Sequence, residues 1–522
     1  MESRDIARQS VRGSIVLLAG NIGATVVLAV VVIVIARLLG PAGFGTYTLA
    51  LVIPGFLSIF LGFGVNSSVI RYTAYEVSRG RADQARRYTL NSIRFLWLTG
   101  AAFTLLEFVL AGPLAAIFIH RPELTPYVQL VSLAVLSSMF ASTISTTAIG
   151  WNRYALSAMS GVLSASVKLV LAPALIVVGL GVTGALVGHI VAYLAGGVVG
   201  TAFLYVKELK GGGGWGEFAS DIKVLLRFGL PLYAGSLLTG LASSLVTFIL
   251  AFIATNAVYG YYQAANNFTT PIALVSSALT SSLFPAFAAF DGAGGDIRVA
   301  FRHAYRFVAF LLTPIIFFIL AAAPQLIHVL YGSSFDGSVP YLQLLAFAYL
   351  PVAFGYTVHP AFFNGFNRPR LTMALQVGGA LALAAAAPVL SLYLGLGIDG
   401  LIYAQFLSFF VAWGVGTFLA NHYMNARLDM LANGAILVAS LAAYAGAIFL
   451  ARVPSSDVFT LVAELVVFVA VYFTLAPLLR AVKLEDLVVM EHSFSGLGVL
   501  SGGVGLLLRY EKFLVSLGGR KG

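Results

Sequence analysis

Long apolar runs, divided by short polar and mostly basic segments, occupy most of the chain. Fourteen stand out, at 13–39, 45–69, 90–118, 125–149, 154–178, 184–206, 224–252, 258–287, 304–330, 340–362, 371–394, 399–420, 431–451 and 457–479. A helix needs about 20 residues to cross a hydrocarbon core of ~30 Å, and these runs are long enough. None alternates strictly, as the strands of a membrane barrel do. The pattern predicts an all-α polytopic membrane protein with about 14 transmembrane helices.

The pattern also repeats. Gly150-Trp151-Asn152-Arg153 returns as Gly365-Phe366-Asn367-Arg368, 215 positions later. The same offset pairs Arg12 with Arg227, Ala42 with Ala257, Gly45 with Gly260, Tyr47 with Tyr262 and Pro173 with Pro388. One residue of slip then pairs Gly179-Leu180-Gly181 with Gly395-Leu396-Gly397 and Gly184 with Gly400. Six runs separate equivalent positions, an even number, so both copies cross the membrane in the same sense. This predicts two six-helix lobes related by an axis along the membrane normal, plus two extra C-terminal helices. The N-lobe is expected at 1–210, a glycine-rich cytoplasmic linker at 211–223 and the C-lobe at 224–430. Helices thirteen and fourteen fall at 431–480. The cytoplasmic tail, 481–522, reads either as a surface-lying segment or as plain disorder.

Composition agrees with a membrane chain: 60% of residues are hydrophobic and 10% charged, which excludes a soluble domain of this size. The net charge of +10 raises the question of nucleic acid, but its distribution points elsewhere. With the N-terminus in the cytoplasm, 26 of the 30 lysines and arginines fall on the cytoplasmic side; only Arg37, Arg121 and Arg452 lie outside, and Lys168 lies within a helix. That is the positive-inside rule. It predicts a cell-membrane, multi-pass protein with both termini cytoplasmic, in contact with membrane lipids and not with nucleic acid. The absence of cysteine excludes disulfides and zinc thiolates. No cofactor or metal is expected, nor a cleavable signal peptide, since the first apolar run is too long. The loops are too short for a soluble catalytic domain, so a transporter is expected and not an enzyme.

The stretch Ala36-Arg37-Leu38-Leu39-Gly40-Pro41-Ala42-Gly43-Phe44-Gly45-Thr46-Tyr47 resembles the first outer loop of polysaccharide transporters. These are lipid-linked oligosaccharide flippases of the multidrug, oligosaccharidyl-lipid and polysaccharide exporter superfamily. Gly62-Phe63-Gly64-Val65-Asn66, Arg71-Tyr72, the basic loop and the Gly-x-Asn-Arg turn are similar to the family's pattern too. The resemblance implies two bundles around a cavity open to one side at a time. It also implies a polyprenyl phosphate- or diphosphate-linked sugar chain as cargo. The lipid II flippases of the superfamily place arginines in helix one, whereas Gly13 to Ala36 carries no charge here, which favours a polysaccharide or protein-glycan cargo. A monomer is expected. The competing reading is a cation-coupled multidrug efflux antiporter; a glycan polymerase or glycosyltransferase is disfavoured by the lack of a large outer loop.

Ionisable residues inside the membrane are costly and are the first candidates for function. Lys168 lies near mid-membrane and shares a helix face with Ser157, Ser160 and Ser164. It reads as a cation for phosphate or sugar, or as half of a buried pair with Glu107. Ser236, Thr239, Ser243 and Thr247 make a second stripe, which suits either cargo or helix packing. The candidate cargo contacts are Lys168, Arg71, Arg94, Asn21, Asn66 and Asn266, the last beside Gln263 and Asn267. Amides suit sugar hydroxyls because they both donate and accept. Arg71 and Arg94 read equally as a diphosphate-attracting mouth or as anchors. Glu107 and His189 are the candidates for ion or proton coupling, although a lone histidine is more often a satisfied core residue. Glu464 is expected near the outer interface without a role. Arg153 and Arg368, in matching turns, are expected to close loops.

Overall fold

A computed structural model describes residues 3–211, 217–292, 296–452 and 456–481. Gly212-Gly213-Gly214 of the predicted linker and the predicted tail beyond Ala481 lie outside them. Every regular element among the described residues is a helix. The chain divides into two compact units, Met1–Gln263 and Ala264–Gly522. The first holds α1 (Ser3–Ala50), α2 (Val52–Phe60), α3 (Val65–Ser78), α4 (Ala82–Leu114), α5 (Thr125–Gly150), α6 (Tyr154–Leu175), α7 (Gly181–Leu204), α8 (Phe218–Ile253) and most of α9 (Asn256–Asn266). The second holds α10 (Thr269–Gly292), α11 (Ile297–Ala321), α12 (Ala323–Tyr331), α13 (Val339–Ala348), α14 (Val358–Gly365), α15 (Pro369–Pro388), α16 (Gly397–Met424), α17 (Met430–Ala451) and α18 (Asp457–Leu478).

Twelve helical stretches among the described residues are long and apolar enough to cross a membrane. Each predicted apolar run overlaps one of them, although 45–69 runs past Phe60, 224–252 starts before Ser236 and 304–330 runs past Ala321. The first two runs share Val16–Phe60, and the fifth and sixth share Tyr154–Leu209. Both shared stretches are broken: the backbone leaves the helix at Gly40 (φ 66°, ψ 175°) and at Gly179 and Gly181 (φ 102° and 51°). The run at 45–69 is not one straight helix. It breaks again where Gly62, Phe63 and Gly64 all take positive φ, a feature to which hydropathy is blind.

The sequence repeat returns as repeated backbone conformation. Asn152 and Asn367 both adopt the left-handed region (φ 57° and 55°), which asparagine tolerates better than most residues. The amide of Arg153 then bonds Ala148 O at 2.8 Å, and that of Arg368 bonds Phe363 O at 2.7 Å. Both are the six-to-one closure of a helix C-terminus. Gly395 and Gly397 take positive φ as Gly179 and Gly181 do. Two repeat-equivalent glycines also meet inside the first unit. A Cβ on Gly45 would lie 1.7 Å from Asn256 O, and one on Gly260 would lie 2.1 Å from Pro41 O. Position 256 is 41 displaced by the repeat offset, so the two contacts are copies of each other.

In the second unit, α17 and α18 pack on α11 through Phe310, Phe317, Ile436, Ala443, Phe468 and Tyr472. The Tyr472 hydroxyl donates to Phe310 O at 2.8 Å.

Candidate functional site

Ser157, Ser160, Ser164 and Lys168 follow one another at three- and four-residue spacing, which aligns them on one face of α6. All four are buried. The face packs inward: Ser160 Oγ donates to Gly196 O of α7 at 2.7 Å, and the Ser145 and Ser157 hydroxyls of α5 and α6 lie 3.2 Å apart. Among these helices is a cavity of about 140 Å³, lined by Asn21 of α1, Ser145, the three serines of α6 and Tyr193 of α7.

One turn beyond Ser164, the Lys168 ammonium stands 5.9 Å from the centroid of the Tyr47 ring. The Tyr47 hydroxyl lies 3.3 Å from His189 Nδ1, and the His189 and Tyr193 rings are 4.9 Å apart. The fold therefore brings Lys168, His189 and Asn21 to one region of the first unit. It adds Tyr47 and Tyr193, which the sequence did not single out as site residues. A ring face attracts a cation weakly. It does not replace a counter-ion, and Lys168 makes no ion pair among the described residues. An ammonium held this way, beside hydroxyls and an amide, is a ready partner for an anionic group.

Glu107 is fully buried and neither carboxylate oxygen has a hydrogen-bond partner. Gly100 packs on Met139 and Gly112 lies beside Thr125, so the antiparallel register of α4 and α5 sets Glu107 level with residues 130–132. The pair with Lys168, weighed from the sequence, does not form. Glu464 is without a partner among the described residues as well. It is fully buried, with both oxygens unpartnered, in the stripe Thr460, Glu464, Phe468, Tyr472 and Ala476 of α18. That four-residue spacing was visible in the sequence and marks a packed face.

Arg71, Arg94, Asn66 and Asn266 are not among the residues that line this cavity. Asn66 Oδ1 accepts from Thr146 Oγ1 at 3.5 Å, joining α3 to α5. The Arg71 guanidinium stacks 4.3 Å from the Phe228 ring of α8. Arg94 donates to Asn91 Oδ1 at 2.9 Å, and the Asn91 amide donates to Asp221 at 2.8 Å. Arg87 pairs with Asp221 and Glu217, so this network ties α4 to the start of α8. Asn266 belongs to the second unit, where its carbonyl accepts from Thr269 Oγ1 and its neighbour Asn267 donates to the Tyr331 hydroxyl. The hydroxyls of Ser236, Thr239 and Thr247 bond carbonyls of their own helix, and Ser236, Thr239 and Ser243 are exposed. Arg153 pairs with Glu208 and so joins the start of α6 to the segment that follows α7.

The sequence also missed a polar cluster in the second unit. His359, fully buried, lies 3.3 Å from both Tyr356 O and Thr417 Oγ1. Trp413 Nε1 donates to the Tyr305 hydroxyl and to Phe354 O. They come from α11, α16, the start of α14 and the segment before it, and only Trp413 and Thr417 share a helix face.

The model of a family described as polysaccharide biosynthesis protein matches residues 34–340. The lipopolysaccharide biosynthesis protein WzxC of Escherichia coli (strain K12) is 24% identical over 67% of this chain and 71% of its own length. The succinoglycan biosynthesis transport protein ExoT of Rhizobium meliloti (strain 1021) is 26% identical over 61% of each. The lipid II flippase MurJ in an inward closed conformation superposes with a TM-score of 0.72 over 88% of this chain and 98% of its own, at 11% identity, a likeness of fold. The family match covers more than half of this multi-pass, all-helical membrane protein, and the chain belongs to the polysaccharide biosynthesis protein family.

Proposed function

We propose that the protein is a flippase that moves a polyprenyl phosphate- or diphosphate-linked oligosaccharide from the cytoplasmic to the outer leaflet by alternating access. The observation that carries this reading is Lys168, a buried cation without a counter-ion among the described residues, beside a hydroxyl-lined cavity. It occurs in a family whose relatives are named for polysaccharide biosynthesis and for transport. Sugar and phosphate do not cross hydrocarbon unaided, while a polyprenyl tail remains in lipid. Lys168 and Asn21 are the proposed contacts in the first unit, with Arg71 and Arg94 meeting the phosphate earlier. Asn66 and Asn266 are further cargo contacts, and Glu107 and His189 couple transport to an ion or proton.

The helix count belongs to the same reading. Stretches of 45 and 56 residues would measure about 68 and 84 Å as straight helices, far more than one ~30 Å core needs. Counting each as two crossings gives fourteen. The copied contacts at Gly45 and Gly260 support lobes related by rotation, because such a contact places equivalent residues beside the axis. The test follows the accessibility of a lipid-linked glycan on each leaflet of proteoliposomes. The parent transfers it unmodified, and Lys168→Ala and Arg71→Ala transfer less. A parent that moves no such lipid sinks the reading.

A second reading, ion-coupled efflux of drugs, draws on the two unpartnered carboxylates, Glu107 and Glu464. It gains if the parent expels cationic drugs against a sodium or proton gradient.

A further inference from the structure

Arg298, Arg302 and Arg306 recur every four residues at the start of α11, on one face. Arg427, in the segment between α16 and α17, meets that face. Arg298, Arg302 and Arg427 line a pocket of about 680 Å³ that also includes Asn425, Asp429, Met430 and Leu431. The foot of the pocket is fastened. Arg306 is buried and pairs with Asp429 at 2.5 Å, while Asp429 also caps α17 by accepting from Ala432 N at 3.2 Å. The segment carrying Arg427 is thereby held against α11 before any ligand arrives.

The charges above the foot are not balanced. Arg298 lies 3.8 Å from Asp296. Arg302 Nε donates to Arg298 O at 3.3 Å, and Arg427 Nε donates to Asn421 Oδ1 at 3.4 Å. Neither Arg302 nor Arg427 has a carboxylate partner among the described residues. Each guanidinium therefore keeps N–H donors free. The pocket stands at the ends of two membrane spans, Ile297–Ala321 and Met430–Ala451, so it is level with lipid headgroups. Two apolar side chains are exposed at its edge, Met430 at 70% and Leu431 at 88%. The positive-inside rule explains cations at this level. It does not require a pre-fastened concavity with arginines from two elements and an apolar rim.

We infer that this pocket binds the phosphate diester of an anionic phospholipid. The guanidinium forks of Arg302 and Arg427 hold the phosphate, a geometry that suits arginine better than lysine. Met430 and Leu431 lie among the adjoining acyl chains. Because α11 belongs to the predicted repeat and α17 to the added pair, the bound lipid bridges the start of α11 to the start of α17.

Native mass spectrometry of the full chain in detergent, with phosphatidylglycerol or phosphatidylcholine of matched chains, reads lipid retention directly. Phosphatidylglycerol is retained in preference by the parent. Its retention falls by about tenfold in the R302Q/R427Q double variant, as expected for removing two cations beside an anionic headgroup. The charge-keeping R302K/R427K variant retains more than the glutamine pair, and R79Q/R370Q, a control of equal charge loss elsewhere, matches the parent. Hydrogen exchange on the parent alone gives a check that needs no variant: phosphatidylglycerol slows exchange in 425–431 and phosphatidylcholine does not. Equal losses in R302Q/R427Q and R79Q/R370Q overturn the proposal, as does equal protection by the two lipids. Protection by inorganic phosphate alone overturns the lipid assignment in favour of a free-phosphate site.

Discussion

At the scale of single residues, Lys168, Glu107 and Glu464 share one condition: each is buried, and none forms an ion pair among the described residues. Breaking a buried pair is strongly destabilising, but an unpaired buried charge is itself a cost. Lys168→Ala is therefore expected to leave thermal stability in detergent equal or higher while transport falls by about tenfold or more, the loss of one charge-assisted contact to phosphate. A fall in both would instead mark a structural role. Glu107→Gln keeps the shape and removes the charge. It is expected to fold as the parent does and to abolish the response to an imposed ion gradient, measured as gradient-driven transport in proteoliposomes. Lys168 was legible because a lysine deep inside an apolar run reaches neither interface, so its charge must be met within the protein. Tyr47, Tyr193 and His359 were not, since tyrosine and histidine in such runs say nothing about which neighbour they face.

At the scale of elements, the turns that close α5 and α14 make the clearest experiment. Asn152 and Asn367 hold the same left-handed conformation. A β-branched residue there costs about 1–2 kcal/mol, whereas glycine adopts it freely. Asn152→Val and Asn367→Val are expected to lower the midpoint of thermal unfolding by similar amounts, and Asn152→Gly and Asn367→Gly to lower it less. The serine stripe of α6 was readable from spacing alone, and so was its need for a polar neighbour. The break at Gly40 was readable too, since the first two apolar runs part there; the one at Leu61–Gly64 was not, because apolar content continues through it while the backbone turns.

At the scale of the whole molecule, the expectation to test is the repeat. Gly45 and Gly260 occupy copied contacts, and a methyl group on the first meets Asn256 O and on the second Pro41 O. Gly45→Ala and Gly260→Ala are both expected to impair folding or transport, at the about 1–3 kcal/mol typical of overpacking. Thermal unfolding and the leaflet-accessibility assay measure this together. A strong effect at one position and none at the other would contradict a rotational relation between the lobes. Reporter fusions at Met1 and Gly522 test topology, and both are expected to report the cytoplasmic side.

Length and hydropathy determined by themselves that this is an all-helical, multi-pass membrane protein, and the repeat offset carried the expectation of two homologous lobes. Those are properties of segments, and a lipid core accepts only segments that satisfy their own backbone and present apolar side chains. The clustered basic loops carried the orientation reading for the same reason, since charge is sorted segment by segment. Which side chains meet was settled only in the folded chain. Lys168 joined Tyr47 and Tyr193 instead of Glu107, Glu464 turned inward, and Arg302 met Arg427 across 125 positions of sequence. Such contacts depend on how helices rotate and approach, and that is set by small residues and shape at the interfaces. A pattern of apolar and polar positions along one helix carries little of that information.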